Sequence, residues 1–249
     1  MNTTNEKLKI LLLDIETAPN IGYSWGKYEQ NIPEFLQESY MLSFSAKWLN
    51  NKKTLVYGLP DFPGYEKNKT CDKSLCQKLW ELIDEADIII AHNGDRFDLR
   101  KINSRFTING FRPPSPYKTI DTLKVAKKYF GFNSNKLNDL GKTLGLGKKV
   151  DTGGFQLWLQ CMSGDRNAWR KMKNYNKMDT ILLEKIYLRL RPWITNHPNI
   201  VTTSCYKCNS CGSQNIQLRG YNYSKMGRAQ RWQCKNCYSW SSGSYEKKK

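Results

Sequence analysis

The chain has 249 residues and carries 40 Lys+Arg against 22 Asp+Glu, a formal net charge of +18. With 39% hydrophobic and 25% charged residues it is neither a disordered nor a fibrous chain, and its length suits one large domain with an appendage. So large a positive charge favours a polyanionic partner, nucleic acid first, while the polar start MNTTNEKLK and the short apolar run after it predict no signal peptide and no membrane span, hence a cytoplasmic protein.

Residues 8–17 read Leu-Lys-Ile-Leu-Leu-Leu-Asp-Ile-Glu-Thr. The run Ile10 to Leu13 predicts a strand buried on both faces. Side chains two apart share a face of a strand, so Asp14 and Glu16 project together at its C-terminal end. Two acids there either mark a strand running out into solvent or cost stability unless positive charge sits between them, for which a hard divalent cation with oxygen ligands is the candidate. Pro19 stops the strand.

Residues 21–39 read as irregular. YMLSFSAKW at 40–48 and KTLVYGL at 53–59 predict two strands joined by a tight turn at Asn50-Asn51, and 60–70 a polar loop. Leu75, Leu79, Leu82 and Ile83 predict a helix over 72–86 with Asp72 as its N-cap. Ile88 to Ala91 is a further buried strand ending in His92-Asn93-Gly94-Asp95, followed by a helix over 96–107. Lys118 to Asp121 is a short strand, and Asp121 is read as the N-cap of a helix over 122–130. Helices at 136–145 and 153–163 follow, then a long one over 166–191 closed by Pro192 and Pro198. The order β-β-β-α-β-α-β followed by helices predicts an α/β domain.

Two further acids stand out. Asp98 lies in the first turn after the strand at 88–91, and Asp179 lies in the long helix four residues after Tyr175, on the same helical face. DIET at 14–17, HNGDRFD at 92–98 and YNKMD at 175–179 together resemble the three motifs of the DEDD family, which includes the proofreading 3′→5′ exonucleases. Tyr-x-x-x-Asp resembles the tyrosine (DEDDy) subclass. The histidine subclass has His five residues before the Asp, where this chain has Asn174.

The resemblance covers about residues 7–193 and implies a ribonuclease H-like fold, a five-stranded mixed sheet with helices on both faces. It implies catalytic roles for Asp14, Glu16, Asp98, Tyr175 and Asp179, and two Mg²⁺ or Mn²⁺ ions. Asp14, Glu16 and Asp179 would hold one ion, Asp14 would bridge to the second, and Asp98 would reach that one through water. Tyr175 would orient the attacking water, and Asn93 would contact substrate. His92 is read as a strand-end residue. The expected activity is 3′→5′ hydrolysis of nucleic acid, single-stranded DNA first. An RNA exonuclease of the same fold and a non-cleaving nucleic-acid-binding protein are the alternatives. The resemblance further implies a bacteriophage source, a host-cytoplasm location and replication proteins among the partners; it leaves the oligomeric state open.

Five of the eight cysteines, 205, 208, 211, 234 and 237, lie near the C-terminus. Such clustering in a reducing compartment reads as metal binding, and paired Cys-x-x-Cys knuckles complete a closed tetrahedral zinc site. Gly212 supplies the turn after Cys211, so Cys208, Cys211, Cys234 and Cys237 are expected to hold one structural Zn²⁺, leaving Cys205 spare. The alternation between the knuckles predicts a β-hairpin, and the whole resembles a transposase-type zinc ribbon. Two units follow: residues 1–195, the exonuclease domain, and residues 196–249, the ribbon with a basic tail. Arg219, Arg228 and Arg231 interleave with Tyr221, Tyr223, Trp232, Tyr238 and Trp240, a pattern suited to phosphates and stacked bases.

Overall fold

The computed structural model describes residues 8–28, 31–201, 206–225 and 227–245. Its main sheet is built from β1 (Ile10–Thr17), β4 (Met41–Trp48), β5 (Leu55–Gly58), β6 (Ile88–Ala91) and β7 (Lys118–Asp121). Their order is β5-β4-β1-β6-β7. The first three strands are antiparallel neighbours, while β6 and β7 run parallel to β1, so the sheet is mixed and five-stranded. This is the ribonuclease H-like architecture expected from the sequence.

Helices cover both faces of the sheet. On one, Leu11, Leu13 and Ile15 pack in a core with α1 (Lys73–Asp84) and α2 (Asp98–Ile108). That core extends to α5 (Gln156–Ser163) and the first half of α6 (Arg166–Leu190). On the other face, Ile10 and Leu12 pack with α3 (Thr122–Tyr129), α4 (Leu137–Thr143) and the second half of α6. β1 is therefore buried on both sides, which its unbroken apolar run demands. Side-chain alternation puts Asp14 and Glu16 on the α6 face, just beyond the Ile10–Leu12 core.

Three local readings change. Residues 21–39 are not wholly irregular: β2 (Ile21–Tyr23) and β3 (Glu34–Gln37) form a two-stranded antiparallel arm. Their side chains are mostly exposed, so no buried pattern announced them. The polar loop after β5 begins with a 3₁₀ turn at Leu59–Asp61. Asp72 precedes α1 without capping it through its side chain. Its buried carboxylate instead accepts from Arg105 Nε at 2.7 Å, Arg105 Nη2 at 2.8 Å, Asn109 Nδ2 at 2.9 Å and the Met41 amide at 2.8 Å. A buried carboxylate with four donors is stable, whereas a solvent-facing cap would strand Arg105.

The C-terminal segment forms its own three-stranded sheet, β10-β9-β8, from β8 (Ile216–Ser224), β9 (Gly227–Cys234) and β10 (Trp240–Ser242). The Tyr187 hydroxyl on α6 lies 2.8 Å from His197 Nε2, and His197 Nδ1 lies 2.8 Å from the Pro198 carbonyl. The carbonyl can only accept, so Nδ1 carries the proton and Tyr187 donates to Nε2. That pair ties the linker to the long helix. No described helix is long and apolar enough to cross a membrane.

Candidate active site and metal centres

The antiparallel register sets Asp14 opposite Ser45 and Glu16 opposite Ser43. Across this polar patch runs α6, with Tyr175, Asn176, Asp179 and Thr180 all buried. Asn176 Nδ2 donates to Asp14 Oδ2 at 2.5 Å and to the Asp14 carbonyl at 3.3 Å. Ser43 donates to Asn176 Oδ1 at 3.2 Å, Ser45 to the Asn176 carbonyl at 2.7 Å, and Ser45 also meets the Thr180 hydroxyl. The two serines of β4 thus anchor the helix, and the helix aims Asp14.

Carboxylate oxygens of Asp14, Glu16 and Asp179 lie within 4.8 Å of one another. Asp98 stands outside that triad, in the first turn of α2, where its Oδ1 accepts the Ile15 amide at 3.2 Å. Burial raises the pKa of every one of these acids. Asp14 rises well above the usual carboxylate range, reinforced by repulsion from Glu16, Asp98 and Asp179. Burial pushes Glu16 to about 8 against the pull of Lys149. Asp98 reaches about 6 from burial, opposed by its backbone hydrogen bonds. Asp179 also rises through burial, with Lys149 opposing. Both Asp179 oxygens are buried, and Oδ2 faces the Lys149 ammonium as an ion pair.

Lys149 is the residue the sequence reading missed. It lies in the loop after α4, where no periodicity marks it. Its Nζ donates to the Tyr175 hydroxyl at 2.9 Å and lies 5.0 Å from the centre of that ring. Burial lowers the Lys149 pKa, yet Asp179 and Tyr175 outweigh it and the ammonium is held charged. Burial raises the Tyr175 pKa, so its hydroxyl keeps its proton. Gly141 lets this loop approach: a Cβ there would stand 2.6 Å from the Gly147 carbonyl and 3.0 Å from Leu182. Trp158 of α5 meets the Tyr175 ring edge-on at 6.1 Å. In the sequence, Asn176 inside YNKMD and the alternating serines of SFSA were the available signals for the rest of the network.

Three further residues flank the acids. Asp121 caps α3 through the Leu123 and Lys124 amides, as the sequence reading had it, and its Oδ1 also takes the Asn93 amide at 2.9 Å. His92 contacts Thr122 at 2.9 Å and the Asn135 carbonyl at 2.9 Å, joining the end of β6 to the 133–136 loop. Asn93 has φ of 67° and lines a cleft of about 650 Å³ with Lys127, Lys136 and Lys149.

In the ribbon, one Sγ from each of Cys208, Cys211, Cys234 and Cys237 lies within 4.8 Å of the others. Cys208 and Cys237 are 3.4 Å apart, Cys211 and Cys234 3.7 Å. Thiolates bound at roughly 2.3 Å around a tetrahedral Zn²⁺ stand roughly 3.8 Å apart, so the four fit that ion. The knuckles are congruent. The Cys208 carbonyl accepts the Gly212 amide at 2.8 Å, as the Cys234 carbonyl accepts Tyr238 at 3.0 Å. Cys205 lies outside the described residues. Arg231 and Arg219 lie 5.2 and 5.9 Å from the centre of the Trp240 ring, and Arg228 lies 4.4 Å from that of Tyr221. The acid triad fits a hard divalent cation equally: its donors are all oxygen, and three converging carboxylates face the single charge of Lys149.

Residues 37–191 match the family model described as the RNase_H superfamily. That span holds Asp98, Tyr175 and Asp179 but begins after Asp14 and Glu16. Among solved structures, the family B DNA polymerase of the hyperthermophilic archaeon Pyrobaculum calidifontis is similar, with a TM-score of 0.52 and 13% identity. The match covers 76% of this chain and 26% of the polymerase, so the chain spans about a quarter of that protein. At this identity the likeness is one of fold. No curated protein matches the chain.

Proposed function

The chain belongs to the RNase_H superfamily, and from that premise we propose that it is a metal-dependent 3′→5′ exonuclease of the DEDDy type acting on single-stranded DNA. The observation that carries the reading is the convergence of Asp14, Glu16 and Asp179, with Asp98 alongside, in a site where burial raises all four acids. Three clustered carboxylates cannot all ionise at neutral pH on the single charge of Lys149. The likeness to part of a DNA polymerase and the net charge of +18 support nucleic acid as the substrate.

Asp14, Glu16 and Asp179 would hold one Mg²⁺ or Mn²⁺, and Asp14 would share a second with Asp98. Such ions, when bound, stabilise the charge of an in-line displacement at phosphorus and lower the pKa of a bound water. The chain's own residues do the positioning. Asn176 fixes the Asp14 carboxylate. The Tyr175 hydroxyl, still protonated, orients the nucleophilic water and leaves proton removal to other groups. Lys149 holds that hydroxyl and offsets negative charge beside Asp179. The ribbon, residues 196–249, would bind one structural Zn²⁺ through Cys208, Cys211, Cys234 and Cys237, with Arg219, Arg228 and Arg231 contacting substrate. The catalytic unit would be residues 1–195.

The test uses single strands of DNA and RNA labelled at the 5′ end, with Mg²⁺, Mn²⁺ or neither. A ladder shortening from the 3′ end of DNA in either metal is expected. No cleavage in both metals refutes the enzyme, and cleavage of RNA alone moves the substrate.

A further inference from the structure

A second cleft, of about 850 Å³, opens between the C-terminal end of α6 and the ribbon. Lys185, Arg189 and Arg191 line one wall with Trp193, and Tyr238 and Trp240 line the other. No acidic side chain lines it among the described residues. We propose that this cleft is a stacking subsite for single-stranded DNA, separate from the acid cluster, in which Trp193, Tyr238 and Trp240 receive unpaired bases and the three cations take phosphates. The proposal rests on the nucleic-acid reading above and adds a second binding site to it.

Four observations carry it. Trp193, Tyr238 and Trp240 remain 54%, 63% and 48% exposed, so each can be reached by a ligand. Rings set among cations suit bases and phosphates together. A duplex hides its base faces, so the occupant must be a single strand. No acidic side chain among the described residues lines the cleft, so the charge of Lys185, Arg189 and Arg191 is not offset within it. Finally, Tyr238 has φ of 62°, at the position where the congruent knuckle has Gly212 with φ of 73°. A bulky residue in the left-handed region is strained, and such strain persists where the side chain has work to do. Here the ring it carries is one the cleft presents.

The cleft is preformed and remote from the acids. Tyr187, His197 and the Ile200–Asn209 backbone bond of 2.9 Å fix the linker. Arg189 is ten residues beyond Asp179 on one helix, roughly 15 Å along its axis. A strand with its end at the acids would reach the cleft only if several nucleotides long.

Tyr238→Gly is the decisive variant. It removes the ring and also the strain, so it should fold with one zinc per chain and no loss of melting temperature. Binding is read by anisotropy of a labelled single-stranded DNA on full-length protein carrying Asp14→Ala, so that the probe survives whether or not the chain is a nuclease. Tyr238→Gly should weaken binding roughly tenfold, the effect of one lost stacking partner. Arg189→Ala should make the salt dependence shallower by about 0.7, one phosphate contact. In protein retaining Asp14, Tyr238→Gly should raise KM for a long strand, leave kcat unchanged, and leave dinucleotide cleavage untouched. Unchanged DNA binding in both variants overturns the proposal, as does a loss confined to RNA. If the wild type never cleaves but both variants still bind DNA more weakly, the subsite stands and only the catalytic reading falls.

Discussion

Asn176→Ala tests the support of the acid cluster directly. The substitution deletes the amide that donates to Asp14 Oδ2 at 2.5 Å and removes the acceptor of the Ser43 hydroxyl at 3.2 Å. A hydrogen bond to a charged group contributes about 1.5–3 kcal/mol, and a buried polar group left unsatisfied costs about 1–3 kcal/mol. With Asp14 ionised by a bound cation, the loss should be about 3 kcal/mol, which for a chain of this size lowers Tm by roughly 6–12 °C. Without the cation, burial and its acidic neighbours keep Asp14 largely protonated. The bond is then between neutral groups, and the loss should be nearer 1 kcal/mol. Thermal melts with and without Mn²⁺ should therefore show the larger drop in the metal. Misaiming Asp14 should also slow cleavage on the order of 10²-fold. A variant that melts with the wild type in both conditions and cleaves at an unchanged rate would refute the network.

Tyr175→Phe should reduce kcat roughly 10-fold to 10³-fold without changing metal affinity, since it deletes a positioned hydroxyl and no ligand; equal turnover would return Tyr175 to a packing role. The metal-free protein should lose stability as pH rises. Glu16 has its pKa lifted from 4.5 to about 8 and Asp98 from 3.8 to about 6, so the folded state holds more protons than the unfolded chain between about pH 4 and about pH 8. Melting temperature should fall across that window, with saturating Mg²⁺ opposing the decline; a flat or rising profile contradicts the burial of the acids. Cys208→Ser should lose the zinc measured by atomic absorption, whereas Cys205→Ser should keep one per chain, and the reverse result means the knuckle is wrongly chosen.

The sequence by itself determined the elements whose residues interact with near neighbours in the chain. The apolar run of β1 required burial on both faces, and alternation placed Asp14 and Glu16 side by side. The four-residue spacing set Tyr175 and Asp179 on one face of α6. The Cys-x-x-Cys pairs and Gly212 marked two knuckles before any fold was known. Tertiary structure decided what depends on groups distant in sequence meeting. Ser43 and Ser45 become anchors for α6 only because β4 pairs with β1 in that register. Asp72 reads as a cap until Arg105, Asn109 and the Met41 amide surround it. Lys149 enters the site from an aperiodic loop because glycine at 141 leaves room for it. The cleft beside Tyr238 exists only where the C-terminal sheet meets the end of α6. Local periodicity carries no information on such encounters, because their energies depend on distances that only the packed chain sets.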